Sequence, residues 1–142
     1  MTGSVSRDVT VDSSVVIPAL ASWHEAHGVA RAACHGVTQV PAHVMLESIS
    51  VLTRLPRGLA LDGKSATAVV RGKFPTEPLV LSPAQHVALT DAIAAAGLRG
   101  GQLYDALVAA TAAAHGVRLI SLDTRAAPTY RAIGVEYELL LR

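Results

Sequence analysis

Apolar positions along this chain follow two periods. Val9-Thr10-Val11, Val37–Val40, Leu79-Val80-Leu81, Val117–Leu122 and Val135–Leu141 are short aliphatic or β-branched runs, and they predict strands. The segments between them carry apolar residues three and four apart. Val44, Ser48, Val51, Leu52 and Leu55 share one helical face, with Pro41 in the first turn and Pro56 and Gly58 ending the helix. Trp23–His35 is expected to be helical as far as Gly36. Ser65–Lys73 forms a shorter helix, Ser82 caps Pro83–Ala96 ahead of Gly97, and Gln102–His115 stops at Gly116. Ser13 and Ser14 are placed to cap a helix directly after the first strand. Strands that alternate with helices of this length need crossover connections. The expected architecture is therefore α/β: a three-layer α/β/α sandwich with a mostly parallel central sheet, built by residues 1–142 as a single domain.

Composition then narrows the class. The chain has 142 residues, of which 51% are hydrophobic, enough for a substantial core. Its net charge of +1 excludes a polybasic protein but not a nucleic-acid substrate, because charges can be segregated within a small sum. Five aromatic residues are too few for a broad base-stacking platform. Cys34 is the single cysteine, so no internal disulfide forms, in keeping with a reducing cytoplasm. Val15–Ala21 mimics a signal peptide, but Asp8 and Asp12 precede it, Arg7 is its one basic flank and Pro18 interrupts it. The longest small-apolar run, Ala106–Ala114, is far below the ~20 residues of a membrane-spanning helix, so no membrane association is expected.

Four acids change the picture further. Asp12 closes the first strand and Asp123 closes Val117–Leu122, which delivers both to the carboxyl edge of the sheet, where α/β proteins place their working groups. Glu47 interrupts an apolar helical face, and Asp105 lies in the first turn of its helix, where the helix dipole favours a carboxylate. Singly, each has an ordinary explanation: a cap for Asp12 or Asp123, a first-turn acid for Asp105, a pair with Arg54 for Glu47. Together, four acids in apolar segments with little nearby base point to a divalent cation. Hard oxygen donors select Mg²⁺ or Mn²⁺, and such sites serve phosphate chemistry.

Several blocks carry a family resemblance. They are Val11-Asp12-Ser13-Ser14, Pro41 to Glu47 with Val51-Leu52, Tyr104-Asp105-Ala106-Leu107-Val108-Ala109-Ala110, Leu119-Ile120-Ser121-Leu122-Asp123 and Tyr130-Arg131-Ala132-Ile133-Gly134-Val135. Over about residues 8–140 the sequence resembles the PIN-domain ribonucleases, most closely the VapC toxins of bacterial toxin–antitoxin pairs. The resemblance implies a PIN-like sandwich and a metal-dependent endoribonuclease that leaves a 5′-phosphate and a 3′-hydroxyl. It places Asp12, Glu47, Asp105 and Asp123 on the family's acidic quartet; from that quartet Asp12, Asp105 and Asp123 are expected to hold Mg²⁺ directly or through water, and Glu47 to support the site or orient the attacking water. Ser13 and Ser121 fall where relatives carry a hydroxyl beside the acids. It further implies an RNA substrate, a homodimer, and a VapB-like antitoxin whose arm blocks the acidic groove. Operator DNA is bound only through the antitoxin complex. The chain departs from many relatives in having no further acid in Asp123-Thr124-Arg125-Ala126-Ala127, which leaves the number of metals open.

Other readings compete. Gly58-Leu59-Ala60-Leu61-Asp62-Gly63-Lys64-Ser65 matches the phosphate-loop pattern of nucleotide triphosphatases, but it follows a helical segment rather than a strand, and Asp62 adds charge beside the phosphates. A catalytically inactive PIN-like interaction domain is a third reading, against which retention of all four acids speaks. Trp23-His24-Glu25-Ala26-His27 spaces its histidines by three, not the four of a zinc-protease helix. With Cys34 and His35 these histidines can be drawn as a soft-metal site; exposed helix histidines and a buried small thiol are the simpler expectation. Arg54 and Arg57 form either a solvated face or an RNA-backbone rim, with Lys64, Arg71 and Lys73 beyond them.

Overall fold

The computed structural model describes residues 8–141. Arg7 and the two ends of the expected 1–142 domain lie outside the described residues. The first strand, β1 (Val9–Val11), runs into α1 (Ser13–Leu20), followed by α2 (His27–Ala33), α3 (Ala42–Thr53), α4 (Gly63–Lys73), α5 (Pro83–Ala96) and α6 (Gln102–Ala114). Then come β2 (Arg118–Ser121), α7 (Ala127–Ile133) and β3 (Tyr137–Leu139). The strands form a parallel sheet in the order β1-β2-β3, with Thr10 opposite Leu119 and Ile120 opposite Glu138. Helices cover both faces, giving the α/β/α sandwich that alternating periods require.

Burial explains why the sequence adopts this arrangement. Val11, Leu119 and Ile120 are enclosed in the central strands, and Val15, Val16, Val44, Val70, Ala109 and Tyr130 pack on them from the helices. The signal-like segment Val15–Ala21 is thus spent on the core: Val15, Val16, Pro18, Ala19 and Ala21 are all buried. Among the described residues, no helix is long and apolar enough to cross a membrane.

Several expectations need correction. Val37–Val40 and Leu79–Leu81 do not form ladder strands. They meet in one parallel bridge between Pro41 and Leu79, where Leu79 N donates to Val40 O (3.0 Å) and Ala42 N to Leu79 O (2.9 Å). Prolines at 41 and 78 lack the N–H groups that would extend the ladder. The segment still lies beside β1, since Thr10 Oγ1 donates to Gln39 O at 3.0 Å. The helix expected over Trp23–His35 forms only as α2, because residues 22–26 make turns in which His24 Nδ1 accepts from Ala26 N at 3.0 Å. Trp23 is exposed there. α7 escaped the sequence pattern: it is short and lacks a side-chain N-cap. Ser82 caps α5 in a capping box with Gln85, as expected.

The phosphate-loop reading fails on local geometry. Gly58–Ser65 follows helix α3, and Asp62 is the N-cap of α4, accepting from Ser65 N at 2.7 Å. That bond holds the Asp62 carboxyl below the usual carboxylate range. A fixed carboxylate therefore occupies the helix N-terminus where a phosphate would have to bind.

Candidate active site

The site is assembled where β1 and β2 end and α1, α3 and α6 meet. Asp12 leaves β1 and becomes the N-cap of α1, accepting from Ser14 N through Oδ1 at 3.1 Å. This corrects the expectation that Ser13 and Ser14 cap the helix; they are its first two residues. The same Oδ1 takes the Ser14 hydroxyl, and Oδ2 takes the Tyr130 hydroxyl at 2.6 Å. Burial pushes the Asp12 carboxyl up, opposed by the Ser121, Ser14 and Tyr130 hydroxyls and reinforced by Asp123. Burial and the Asp12 charge also drive the Tyr130 hydroxyl far upward, so it stays protonated as the donor.

Hydroxyls link the two strand ends. Leu122 N donates to Ser14 Oγ at 2.8 Å, and Asp123 N donates to Ser121 Oγ at 2.9 Å. Ser14 and Ser121 oxygens stand 3.3 Å apart. Ser121 therefore sits beside the acids as expected. Ser13 does so differently: its hydroxyl donates to Glu47 Oε1 at 2.8 Å and tethers α3 to α1. Glu47 takes this partner rather than Arg54. Asp123 Oδ1 accepts from Arg125 N at 2.9 Å, a turn contact that leaves its other oxygen without a hydrogen bond from the described residues. An open groove of about 360 Å³ passes Ser13, Ser14, Pro18, His24, Leu122 and Asp123.

Asp105 is the exception among these acids. Half-buried on α6, its carboxylate receives no hydrogen bond from the described residues. Burial first, then the charges of Asp123, Glu47 and Asp12, push its pKa up to about 6. All three neighbouring charges are acids. Yet no three His, Cys, Asp or Glu side chains among the described residues converge closely enough to cage an ion by themselves. The donor set suits a cation that keeps part of its water shell and completes it with substrate oxygens. Mg²⁺ behaves this way, typically using one or two carboxylates. Asp12 can still contribute, because each carboxylate oxygen has two acceptor positions.

Three residues near the acids escaped the sequence reading: Ser14 in its role as a bridge, Tyr130 as the partner of Asp12, and His24 as a wall of the groove. Tyr130 is 118 positions from Asp12, and no spacing rule joins them. The soft-metal reading does not hold. Cys34 is buried with its thiol pushed up to about 11 by burial, and His27 Nδ1 is 2.8 Å from Pro18 O, an intrachain contact. His115 Nε2 likewise meets Val80 O at 2.8 Å.

The Asp105 environment has a measurable consequence. A carboxyl raised from 3.8 to about 6 binds its proton more tightly in the folded state. Its ionisation costs nothing below the unfolded pKa, and the cost grows until pH passes the folded value. Asp105→Asn is therefore expected to raise the melting temperature of metal-free protein at pH 7.5 by roughly 2–4 °C, after discounting for solvent screening. The advantage should shrink as pH falls from 6 toward 4. Thermal scans of both proteins in EDTA check this; a constant or inverted difference contradicts it.

Known proteins resemble this chain over nearly its whole length. The PIN domain family model matches residues 9–132. Ribonuclease VapC40 of Mycobacterium tuberculosis is 36% identical over 132 residues, covering 93% of this chain and 98% of that protein. Ribonuclease VapC27 of the same organism is 41% identical over 128 residues, covering 89% and 93%. The crystal structure of M. tuberculosis VapC20, described as a sarcin-ricin loop cleaving toxin, superposes with a TM-score of 0.68. That match covers 90% of this chain and 96% of VapC20 at 18% identity, so it speaks to the fold.

Proposed function

The chain belongs to the PIN-domain family, VapC type, and from that premise we propose that it is a metal-dependent endoribonuclease toxin neutralised by a cognate antitoxin. The observation that carries the chemistry is the Asp105 environment: a half-buried carboxylate without a hydrogen-bond donor among the described residues, pushed up first by burial and then by the charges of Asp123, Glu47 and Asp12. A divalent cation bound there would offset the mutual repulsion of these carboxylates. We assign Asp105, Asp123 and Asp12 to hold Mg²⁺, with Mn²⁺ able to substitute. The ion, when bound, neutralises phosphate oxygens and lowers the pKa of a coordinated water.

The remaining roles follow from the protein contacts. Ser14 and Tyr130 fix the Asp12 carboxylate from both sides. Ser13 holds Glu47 at the edge of the site, where its second oxygen is available to orient an attacking water and take its proton. Ser121 positions Asp123 by accepting from its backbone N–H. The products are a 5′-phosphate and a 3′-hydroxyl. The test is to incubate purified protein with total cellular RNA in Mg²⁺, in Mn²⁺ and in EDTA, and to map the new ends. Discrete cuts that vanish in EDTA are expected. Absence of cuts under all three conditions, with no divalent ion bound in calorimetry, would favour an inactive interaction domain.

We further assign Arg54 and Arg57 to the RNA-backbone rim. Both are exposed at the end of α3, and Arg57 holds a left-handed backbone at φ 60°, a conformation that costs about 1 kcal/mol or more outside glycine. Replacing both by Ala is expected to weaken RNA binding across sequences and to reduce the salt slope by roughly 0.7 for each phosphate that an arginine no longer neutralises. Affinity measured from low to high salt checks this; an unchanged slope makes the pair a solvated face. A homodimer and operator DNA bound through the antitoxin belong to the same reading.

A further inference from the structure

We propose that the outer face of the Tyr104 ring, backed by the His43 imidazole, is a stacking site for one unpaired nucleobase of the RNA substrate. The inference rests on the ribonuclease reading and extends it to how substrate is held. Three observations carry it. Tyr104 is 58% exposed in a chain with five aromatic residues, two of which, Phe74 and Tyr130, are fully enclosed. Its ring lies parallel to His43, with centroids 5.2 Å apart and planes inclined by 5°. That offset contact sets the tilt of the tyrosine and partly covers one face, while the ring as a whole stays 58% exposed.

The third observation is position. Tyr104 directly precedes Asp105 in the first turn of α6. His43 stands one turn before Glu47, so both occupy the same face of α3. The ring pair thus joins α3 and α6, the two helices that also carry Glu47 and Asp105. An acidic pocket repels the RNA backbone wherever a cation does not intervene, so affinity near it has to come from uncharged contacts. Base stacking on an aromatic ring supplies such a contact, tolerates any base, and requires the base to be unstacked from its neighbours. The site therefore selects single-stranded or looped RNA over a continuous duplex. A ring already held by His43 also loses less freedom on binding than a free side chain.

The experiment compares two ligands of equal charge in the Asp12→Asn background: an oligoadenylate of about ten nucleotides and the same length of abasic ribose-phosphate chain. The parent is expected to bind the oligoadenylate about five- to fiftyfold more tightly than the abasic chain. Tyr104→Ala should lose most of that difference while its melting temperature stays unchanged, and Tyr104→Phe should recover it. In a Trp23→Phe, Tyr104→Trp protein, whose one tryptophan is the reporter, oligoadenylate should quench fluorescence and the abasic chain should not. If Tyr104→Ala keeps the base-dependent affinity in a protein whose wild type cuts RNA, the stacking site is overturned and the ribonuclease stands. The exposed ring is then better assigned to a protein contact. If wild type neither binds nor cuts RNA, both readings fall together.

Discussion

Asp12→Asn and Asp105→Asn are each expected to reduce RNA cleavage at least about a hundredfold in a protein that remains folded. Both substitutions keep the side-chain shape and remove one charge. At position 105 the loss relieves a carboxylate that burial, Asp123, Glu47 and Asp12 all oppose. The variant should therefore be no less stable than wild type without metal. At position 12 the asparagine Oδ1 can still accept from Ser14 N, so the N-cap of α1 survives. Its amide can donate to the Tyr130 oxygen, at the cost of leaving the tyrosine proton without an acceptor. These compensations make lost activity a readout of the missing charge rather than of unfolding. Cleavage rates on a mapped RNA in Mg²⁺, read beside thermal melts, are the measurement. Undiminished cleavage by both folded variants would sink the assignment.

Tyr130→Phe should cost about 1–3 kcal/mol of stability and lower the melting temperature by roughly 3–10 °C. The ring is 1% exposed, and its edge-on contact with Tyr137, at 5.9 Å between centroids, is kept in phenylalanine. The change is confined to one hydroxyl. Without it Asp12 Oδ2 loses its donor in a site where water does not easily replace it, and the desolvation penalty stays unbalanced. The freed carboxylate is also less well aimed, so cleavage should fall about ten- to a hundredfold, the usual range for a group that orients a metal ligand. Denaturant titration and cleavage assays on the same preparation test both parts. Unchanged stability would show that the Tyr130–Asp12 bond contributes nothing net.

Much of this protein was legible in one dimension because its signals are local. The 3.6-residue spacing from Val44 to Leu55 made α3 visible, and Ser82 with Gln85 carried its own cap for α5. An apolar run ending in aspartate marked β1 and β2 and placed Asp12 and Asp123 at one edge of the sheet. Where the reading of elements failed, a competing local signal decided the outcome. Residues 23–26 favoured helix by composition, yet His24 bonded its own backbone and the chain turned. Val37–Val40 and Leu79–Leu81 had strand-like side chains, but prolines at 41 and 78 reduced their pairing to a single bridge.

The acids themselves divide the same way. Their number, their positions at strand and helix ends and their hard-oxygen character are properties of the sequence, and these sufficed to point at a divalent cation. How each one is held was decided by packing. Ser14 and Tyr130 converge on Asp12, Ser13 selects Glu47 instead of leaving it to Arg54, and Asp105 is left without a donor among the described residues. The reason is physical. Period and capping depend on neighbours within one turn of chain, whereas the partner of a buried polar group is whatever the folded core brings within about 3 Å. Tyr130 meets Asp12 because α7, packed against α6, carries its ring to the end of β1, and only the assembled core creates that pairing.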